Sequence, residues 1–137
     1  MIILRQWLLC LDLWNDSFNL IADSGFDPEI NVISDVDLGG GFVVASRVLV
    51  SHQGNDLRVE GNSTGRSILL LPFEYSHCFD IATRSGERPV LFRANTLLTG
   101  VVFTGTLDVW LKFRTGPIHN STCRIQDAKD FRKAMSN

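Results

Sequence analysis

The chain has 137 residues and a net charge of −2, with 45% hydrophobic and 20% charged residues. A chain of this length buries about 68% of the surface that its unfolded form exposes, so it can fold without a metal or a disulfide. This balance of residues excludes a disordered chain. The weak acidic charge argues against nucleic acid as a partner. No apolar run in the sequence reaches the ~18 residues of a membrane span.

The charge is divided unevenly along the sequence. Residues 1–65 carry three basic and nine acidic side chains, whereas residues 66–137 carry ten basic and six acidic ones. Separate charged tails would indicate interaction arms, but here the charged residues are dispersed among apolar ones. Two complementary parts of one fold are the simpler interpretation. A weakly basic face for an anionic headgroup or phosphate is the alternative.

Residues 2–21 have the pattern of an amphipathic helix, within a helical region expected over 1–23. At ~100° per residue, polar side chains occupy one arc and a broad apolar face with Trp7 and Trp14 lies opposite. We expect this face to pack on a sheet. An interfacial membrane helix is the alternative, but its polar face would carry Lys and Arg, and here that face is acidic. The segment also lacks the cationic start of a signal peptide.

From Asn31 onward the hydrophobic period changes to two, which is typical of β-strands. The predicted strands span 31–36, 42–51, 56–61, 67–71, 79–83, 89–92, 100–103 and 106–114. The continuous apolar run of 67–71 is typical of a strand covered on both faces. About eight short strands after one helix predict a mainly β fold, an antiparallel β-sandwich with the N-terminal helix packed on it.

A single domain is predicted over 1–116, because no linker, internal repeat or low-complexity tract interrupts it. Residues 117–137 are polar and are expected to form a loosely attached C-terminal tail, helical over 127–135.

The three cysteines and three histidines show no metal-ligand spacing, so neither a metal site nor a cofactor is expected. A disulfide between Cys78 and Cys123 is the most plausible pairing, but the sequence does not establish it. Buried or unreactive free thiols are the preferred interpretation.

A family resemblance is carried by turn and core residues in the second half of the chain. They are Pro72, Tyr75, Ser85, Gly86, Asn95, Gly100 and Gly105. Their order resembles the C-terminal extracytoplasmic β-sandwich domain of YfhO-like bacterial proteins, which are related to polytopic membrane glycosyltransferases. The likeness covers roughly 2–114. Cys78 and Phe79 stand where the family has a Gly-Trp pair, and Phe can fill the core role of that Trp.

The resemblance implies a non-catalytic accessory domain on the extracytoplasmic face of a bacterial membrane, as part of a larger glycosyltransferase-like protein. The implied partners are the transmembrane portion of that protein and a glycan or lipid-linked sugar that the domain would orient. A free-standing carbohydrate-binding module is the first alternative.

The candidate ligand contacts are Tyr75, His77, Arg93 and Trp110. Trp110 is flanked by Asp108 and Lys112 on the polar side of the last predicted strand. Such an arrangement is typical of carbohydrate platforms, because the ring stacks on a sugar while polar neighbours bond to hydroxyls. Burial beneath the N-terminal helix is the competing and favoured interpretation of Trp110. The other three are expected to line an end loop, where a structural role is equally open.

No residue set predicts a reaction, so no catalytic residue is assigned. Glycoside hydrolysis needs two carboxylates ~5–9.5 Å apart across a cleft. Glu74 and Asp80 are the best available pair, which leaves a small glycan-active hydrolase as the last alternative.

Overall fold

The computed structural model describes residues 8–10, 21–22, 25–27, 31–114 and 122–135. The elements are β1 (Leu8–Cys10), β2 (Val32–Ser34), β3 (Arg47–Gln53), β4 (Asp56–Glu74), β5 (Phe79–Ser85), β6 (Val90–Ala94), β7 (Leu98–Phe113) and helix α1 (Thr122–Met135). The strands form one sheet in the order β1-β2-β6-β7-β4-β3, and β5 also pairs with β7. All pairs are antiparallel except β1 with β2. The fold is therefore mainly β, as predicted.

Two predicted strand breaks are absent. β4 runs through the expected break between 61 and 67, and β7 runs through the one between 103 and 106. Residues 63–65 of β4 instead bulge opposite Gly105 of β7, which has a φ of 68°. The eight predicted strands therefore become six. With β1, which was not predicted as a strand, the described residues contain seven strands in one hydrogen-bonded sheet.

The sheet bends back on itself along β7. This strand has 16 residues, which would extend about 50 Å if it were straight. β4 ends opposite Leu98 at one end of β7, and β5 begins opposite Phe113 at the other end. The loop that joins β4 to β5, residues 75–78, spans at most about 18 Å. The two ends of β7 must therefore lie close together.

The concave face of the bend carries the larger hydrophobic core. Its buried residues are Ala45, Val48, Leu57, Val59, Leu69, Leu71, Val101, Phe103, Leu107, Val109 and Leu111. The odd-numbered residues of β4 and β7 contribute most of them, as the period of two requires. The Phe79 ring lies 5.3 Å from the Phe73 ring and 5.4 Å from the Phe113 ring, centroid to centroid. These three rings close the open end of the bend.

A second core lies on the opposite face of the sheet. Its buried residues are Val32, Leu38, Phe42, Ile68, Leu70, Phe92, Ala94 and Val102. Ile68 and Leu70 face this core while Leu69 and Leu71 face the first one, and all four are buried. This confirms the prediction that 67–71 is covered on both faces. The Arg66 guanidinium donates to the carbonyl of Leu38 at 2.6 Å. This bond fixes the loop between β2 and β3, which covers the second core.

The prediction of an N-terminal helix is wrong at Leu8–Cys10, whereas residues 21 and 22 at its end are helical. Leu8–Cys10 form β1 and pair in parallel with β2, so the helix predicted over 2–21 is not present at these residues. A short apolar run fits a strand as well as a helix, and here pairing with the free edge of β2 prevails. Trp7 and Trp14 lie outside the described residues.

The helical prediction for the C-terminal segment is confirmed, and α1 begins earlier than expected, at Thr122. Within the described ranges, no helix combines the length and apolar character that crossing a bilayer requires.

Candidate functional site

The loop between β4 and β5, residues 75–78, contains two of the predicted ligand contacts. The Tyr75 N–H donates to the carbonyl of Leu97 at 2.8 Å, which ties the loop to the turn between β6 and β7. The Ser76 hydroxyl oxygen accepts the Cys78 N–H at 3.0 Å. The backbone of the loop is therefore fixed on both sides of His77.

Helix α1 is held against this loop by one of its faces. Cys123 forms a disulfide with Cys78, and their Cα atoms lie 5.0 Å apart. One turn further on, Asp127 accepts hydrogen bonds from the Ser76 hydroxyl (2.6 Å) and the His77 N–H (2.8 Å). The expectation of free thiols is therefore wrong, because the helix brings Cys123 to the buried Cys78. The expectation of a loosely attached tail is wrong for the same reason.

Asp130, three residues after Asp127, joins two of the predicted ligand contacts. Its Oδ2 accepts hydrogen bonds from His77 Nε2 at 2.8 Å and from Arg93 Nη2 at 2.9 Å. Burial acts to raise the pKa of Asp130, but the hydrogen bonds and charges of His77 and Arg93 together outweigh it and hold the pKa below its ordinary value. The carboxylate is therefore ionised at neutral pH.

Arg93 stands at the centre of these contacts. Its side chain is only 12% exposed and lies between two carboxylates, with Asp130 at 2.9 Å and Asp35 at 3.9 Å. Its guanidinium carbon is 5.2 Å from the centroid of the Tyr75 ring, which meets the His77 ring edge-on at 5.3 Å. Burial raises the pKa of Asp35 despite the opposing charge of Arg93. Burial, followed by the charge of Asp35, raises the pKa of Tyr75.

We call the set Tyr75, His77, Arg93, Asp127 and Asp130, with the Cys78–Cys123 disulfide, the helix clasp. Asp130 pairs with His77 and Arg93, and Asp127 accepts hydrogen bonds from the loop; both carboxylates belong to α1. A ligand that replaced Asp130 as the partner of His77 and Arg93 would have to displace the helix that carries Asp130. The cluster is therefore built to hold α1 in place.

Trp110, the fourth predicted contact, is not part of the clasp. It lies on the convex face of the sheet, paired with Arg58 of β4 and Ala82 of β5, and its side chain is partly exposed. Asp108 and Lys112 lie on the same face, two residues before and after it, as predicted. The Arg58 guanidinium donates to both carboxylate oxygens of Asp108 at 3.1 Å. The expected cover from the N-terminal helix lies outside the described residues.

Of the two carboxylates considered for hydrolysis, Asp80 has surroundings that do not suit a catalytic acid. Asp80 Oδ1 lies 3.1 Å from Arg114 Nη2, and the hydrogen bond from Arg114 lowers the pKa of Asp80. A catalytic acid requires a raised pKa instead. Glu74 is exposed at the end of β4, opposite Leu98.

Sequence reasoning missed the acidic partners of the clasp. Asp127 and Asp130 follow Cys123 by four and seven residues, and this one-face spacing on a predicted helix was the available signal. Asp35 gave no such signal, because it reaches Arg93 only through the pairing of β2 with β6. Across residues 31–114 and 122–135, no three His, Cys, Asp or Glu side chains are grouped so that they would hold a metal ion.

No protein-family model, curated protein or solved structure matches this chain. Fold and clasp together define its class, a mainly β domain whose C-terminal helix is locked onto a loop of the sheet.

Proposed function

We propose that this chain is a non-catalytic accessory domain on the extracytoplasmic side of a bacterial membrane, attached to the transmembrane portion of a YfhO-like, glycosyltransferase-related protein. The observation that carries the proposal is the helix clasp with its disulfide. Disulfides persist in oxidising compartments outside the cytosol. The polar groups of Ser76 and His77, which could otherwise contact a ligand, are hydrogen-bonded to α1. This arrangement suits a domain that braces another part of the protein.

In this proposal the bent sheet acts as a β-sandwich scaffold, with the two halves of β4 and β7 as its layers. The domain then braces the membrane-embedded part and orients a lipid-linked sugar or an acceptor glycan.

The compartment is tested by the thiol state in cells. After acid quenching and denaturation, Cys78 and Cys123 are expected to resist alkylation until a reductant is added. In the Cys123→Ser variant, Cys78 is expected to be alkylated without reductant, which calibrates the assay. Alkylation of both thiols in the unreduced wild type would contradict an oxidising location.

The parent protein is tested by the reading frame upstream of Met1. We expect it to encode several hydrophobic spans. An in-frame stop codon directly before Met1 would contradict attachment to a transmembrane portion and would leave the free-standing module.

Carbohydrate binding is the second candidate function, and the position of Trp110 favours it. The ring is partly exposed on a sheet face among charged side chains, which suits stacking against a sugar. We expect weak binding, with a Kd of ~0.1–1 mM. On a glycan array followed by titration, Trp110→Ala should remove the signal. Val90→Ala, which trims an apolar side chain that is 53% exposed on β6, should retain it; equal binding by all three proteins would contradict a Trp110 site.

A further inference from the structure

Helix α1 separates its charges between two sides. Its two acidic residues, Asp127 and Asp130, point at the sheet and belong to the clasp. Its four basic residues are all exposed: Arg124, Lys129, Arg132 and Lys133. The helix therefore turns its negative charge inward and presents only positive charge to its surroundings.

Two large apolar side chains are exposed on the same helix. Phe131 is 64% exposed and Ile125 is 43% exposed. At ~100° per residue, Ile125 lies opposite the face defined by Cys123 and Asp127. Phe131, one turn after Asp127, lies on the flank of the helix between that face and the exposed basic residues. The Arg124 guanidinium lies over the Phe113 ring of the sheet, 5.5 Å from its centroid. We therefore call only Ile125, Lys129, Phe131, Arg132 and Lys133 the outer face of α1. The clasp fixes the helix so that this face cannot turn toward the sheet.

We propose that the outer face of α1 docks on the surface of an anionic phospholipid bilayer. Lys and Arg side chains are attracted to anionic headgroups, and an exposed Phe beside them can enter the boundary between headgroups and acyl chains. A bilayer of anionic lipid is the surface that accommodates both features at once.

Charge and hydrophobicity together also favour a bilayer over a nucleic acid as the partner of this face. Phosphates of DNA would bind the cations but would leave Phe131 and Ile125 in water. The whole chain is also acidic, with a net charge of −2. This charge repels a nucleic acid that contacts much of the protein more strongly than it repels a bilayer that contacts α1 alone. This inference goes beyond the proposed function, because it requires neither glycan contact at Trp110 nor a particular parent protein.

Co-sedimentation with lipid vesicles tests the proposal on the full chain. The vesicles consist of equal parts phosphatidylglycerol and phosphatidylcholine, with pure phosphatidylcholine for comparison. We expect binding to the anionic vesicles only, weakening as salt shortens the screening length. Each cation contributes about fivefold to the partition coefficient. The double variant Lys129→Gln, Arg132→Gln should therefore bind about thirtyfold more weakly, and Phe131→Ser about tenfold more weakly.

The matched control removes two cations from the sheet instead of the helix. Arg84→Gln, Arg88→Gln carries the same charge change at exposed positions outside α1, and it should bind as the wild type does. Circular dichroism and the thiol count confirm that each variant retains its helix and disulfide. The proposal would be overturned if the two double variants lost binding equally, or if Lys129→Gln, Arg132→Gln bound as the wild type does. It would also be overturned if the chain bound double-stranded DNA as tightly as the anionic vesicles.

Discussion

At the scale of single residues, Asn95 shows how one side chain joins a turn to the sheet. Its φ is 47°, in the left-handed region that Asn tolerates better than most residues. Its N–H donates to the Ile33 carbonyl, and its Oδ1 accepts the Ile33 N–H, both at 2.9 Å. Because the β2–β6 ladder registers only Ser34 with Ala94, these two bonds are a main part of what holds β2 in place.

Substitution of Asn95 separates the side-chain hydrogen bond from the backbone strain. Asn95→Gly removes the Oδ1 acceptor and leaves φ unstrained, so we expect a loss of ~1–3 kcal/mol in the free energy of unfolding. Asn95→Ala should lose ~1 kcal/mol more, because Ala is disfavoured at positive φ. Urea denaturation measures both. If Asn95→Gly is as stable as the wild type, the Oδ1 contact does not contribute.

The lowered pKa of Asp130 predicts how the stability of the folded chain changes with pH. Its pKa is lowered in the folded chain, so its stabilisation is complete above the unfolded pKa of about 3.9 and is lost as pH falls through the folded value. Asp130→Asn should therefore be less stable than the wild type at neutral pH, and the gap should narrow below about pH 4. The contribution of Asp35 to stability has the opposite pH dependence. Its pKa is raised in the folded chain, so its contribution is more favourable at low pH than at neutral pH.

Denaturation of both proteins across this pH range checks the effect, with Glu87→Gln as the control. Glu87 is an exposed carboxylate, and its removal takes away the same charge outside the clasp. A gap between Asp130→Asn and the wild type that stays constant with pH would show that the carboxylate acts through shape and not through charge.

At the scale of elements, strand existence was easier to predict than strand length. The bulge at 63–65 and Gly105 both have the composition of turns, and the sequence alone predicts a break between two strands at each. In the structure they oppose each other within one ladder, so the two irregularities bend a continuous pair of strands. Local sequence cannot show this, because whether a Gly ends a strand or bends it depends on what lies across the sheet.

Gly100 illustrates a close approach between neighbouring strands. A Cβ added there would lie 2.3 Å from the ring of its cross-strand partner Phe92, which is 1% exposed. Gly100→Ala should therefore push this ring from its place and cost ~1–3 kcal/mol of stability. Gly40→Ala is the matched control, since a Cβ at Gly40 meets nothing within 4 Å. Thermal unfolding compares the two, and equal midpoints would contradict the contact.

At the scale of the whole molecule, only some members of the clasp could be predicted from the sequence. Tyr75 and His77 are near neighbours in a predicted loop, so their grouping followed from local spacing. Arg93, also expected at this end loop, comes to them from β6, whereas the unexpected Asp130 comes from α1 through helix docking. Contacts of this range depend on the folded path of the chain, which hydrophobic periods do not encode.

The disulfide closes the clasp across 45 residues of sequence, and its removal is the test at this scale. A loop of that length costs the unfolded chain ~4 kcal/mol in entropy, so Cys78→Ala, Cys123→Ala should lower the free energy of unfolding by ~2–4 kcal/mol. Without the disulfide, only the hydrogen bonds of Asp127 and Asp130 hold α1 on the loop. The helix should therefore open locally before the sheet unfolds, and trypsin should cut at its basic residues first. A reductant should have the same effect on the wild type and none on the variant. Equal stability of oxidised and reduced wild type would mean that the carboxylates alone hold the helix.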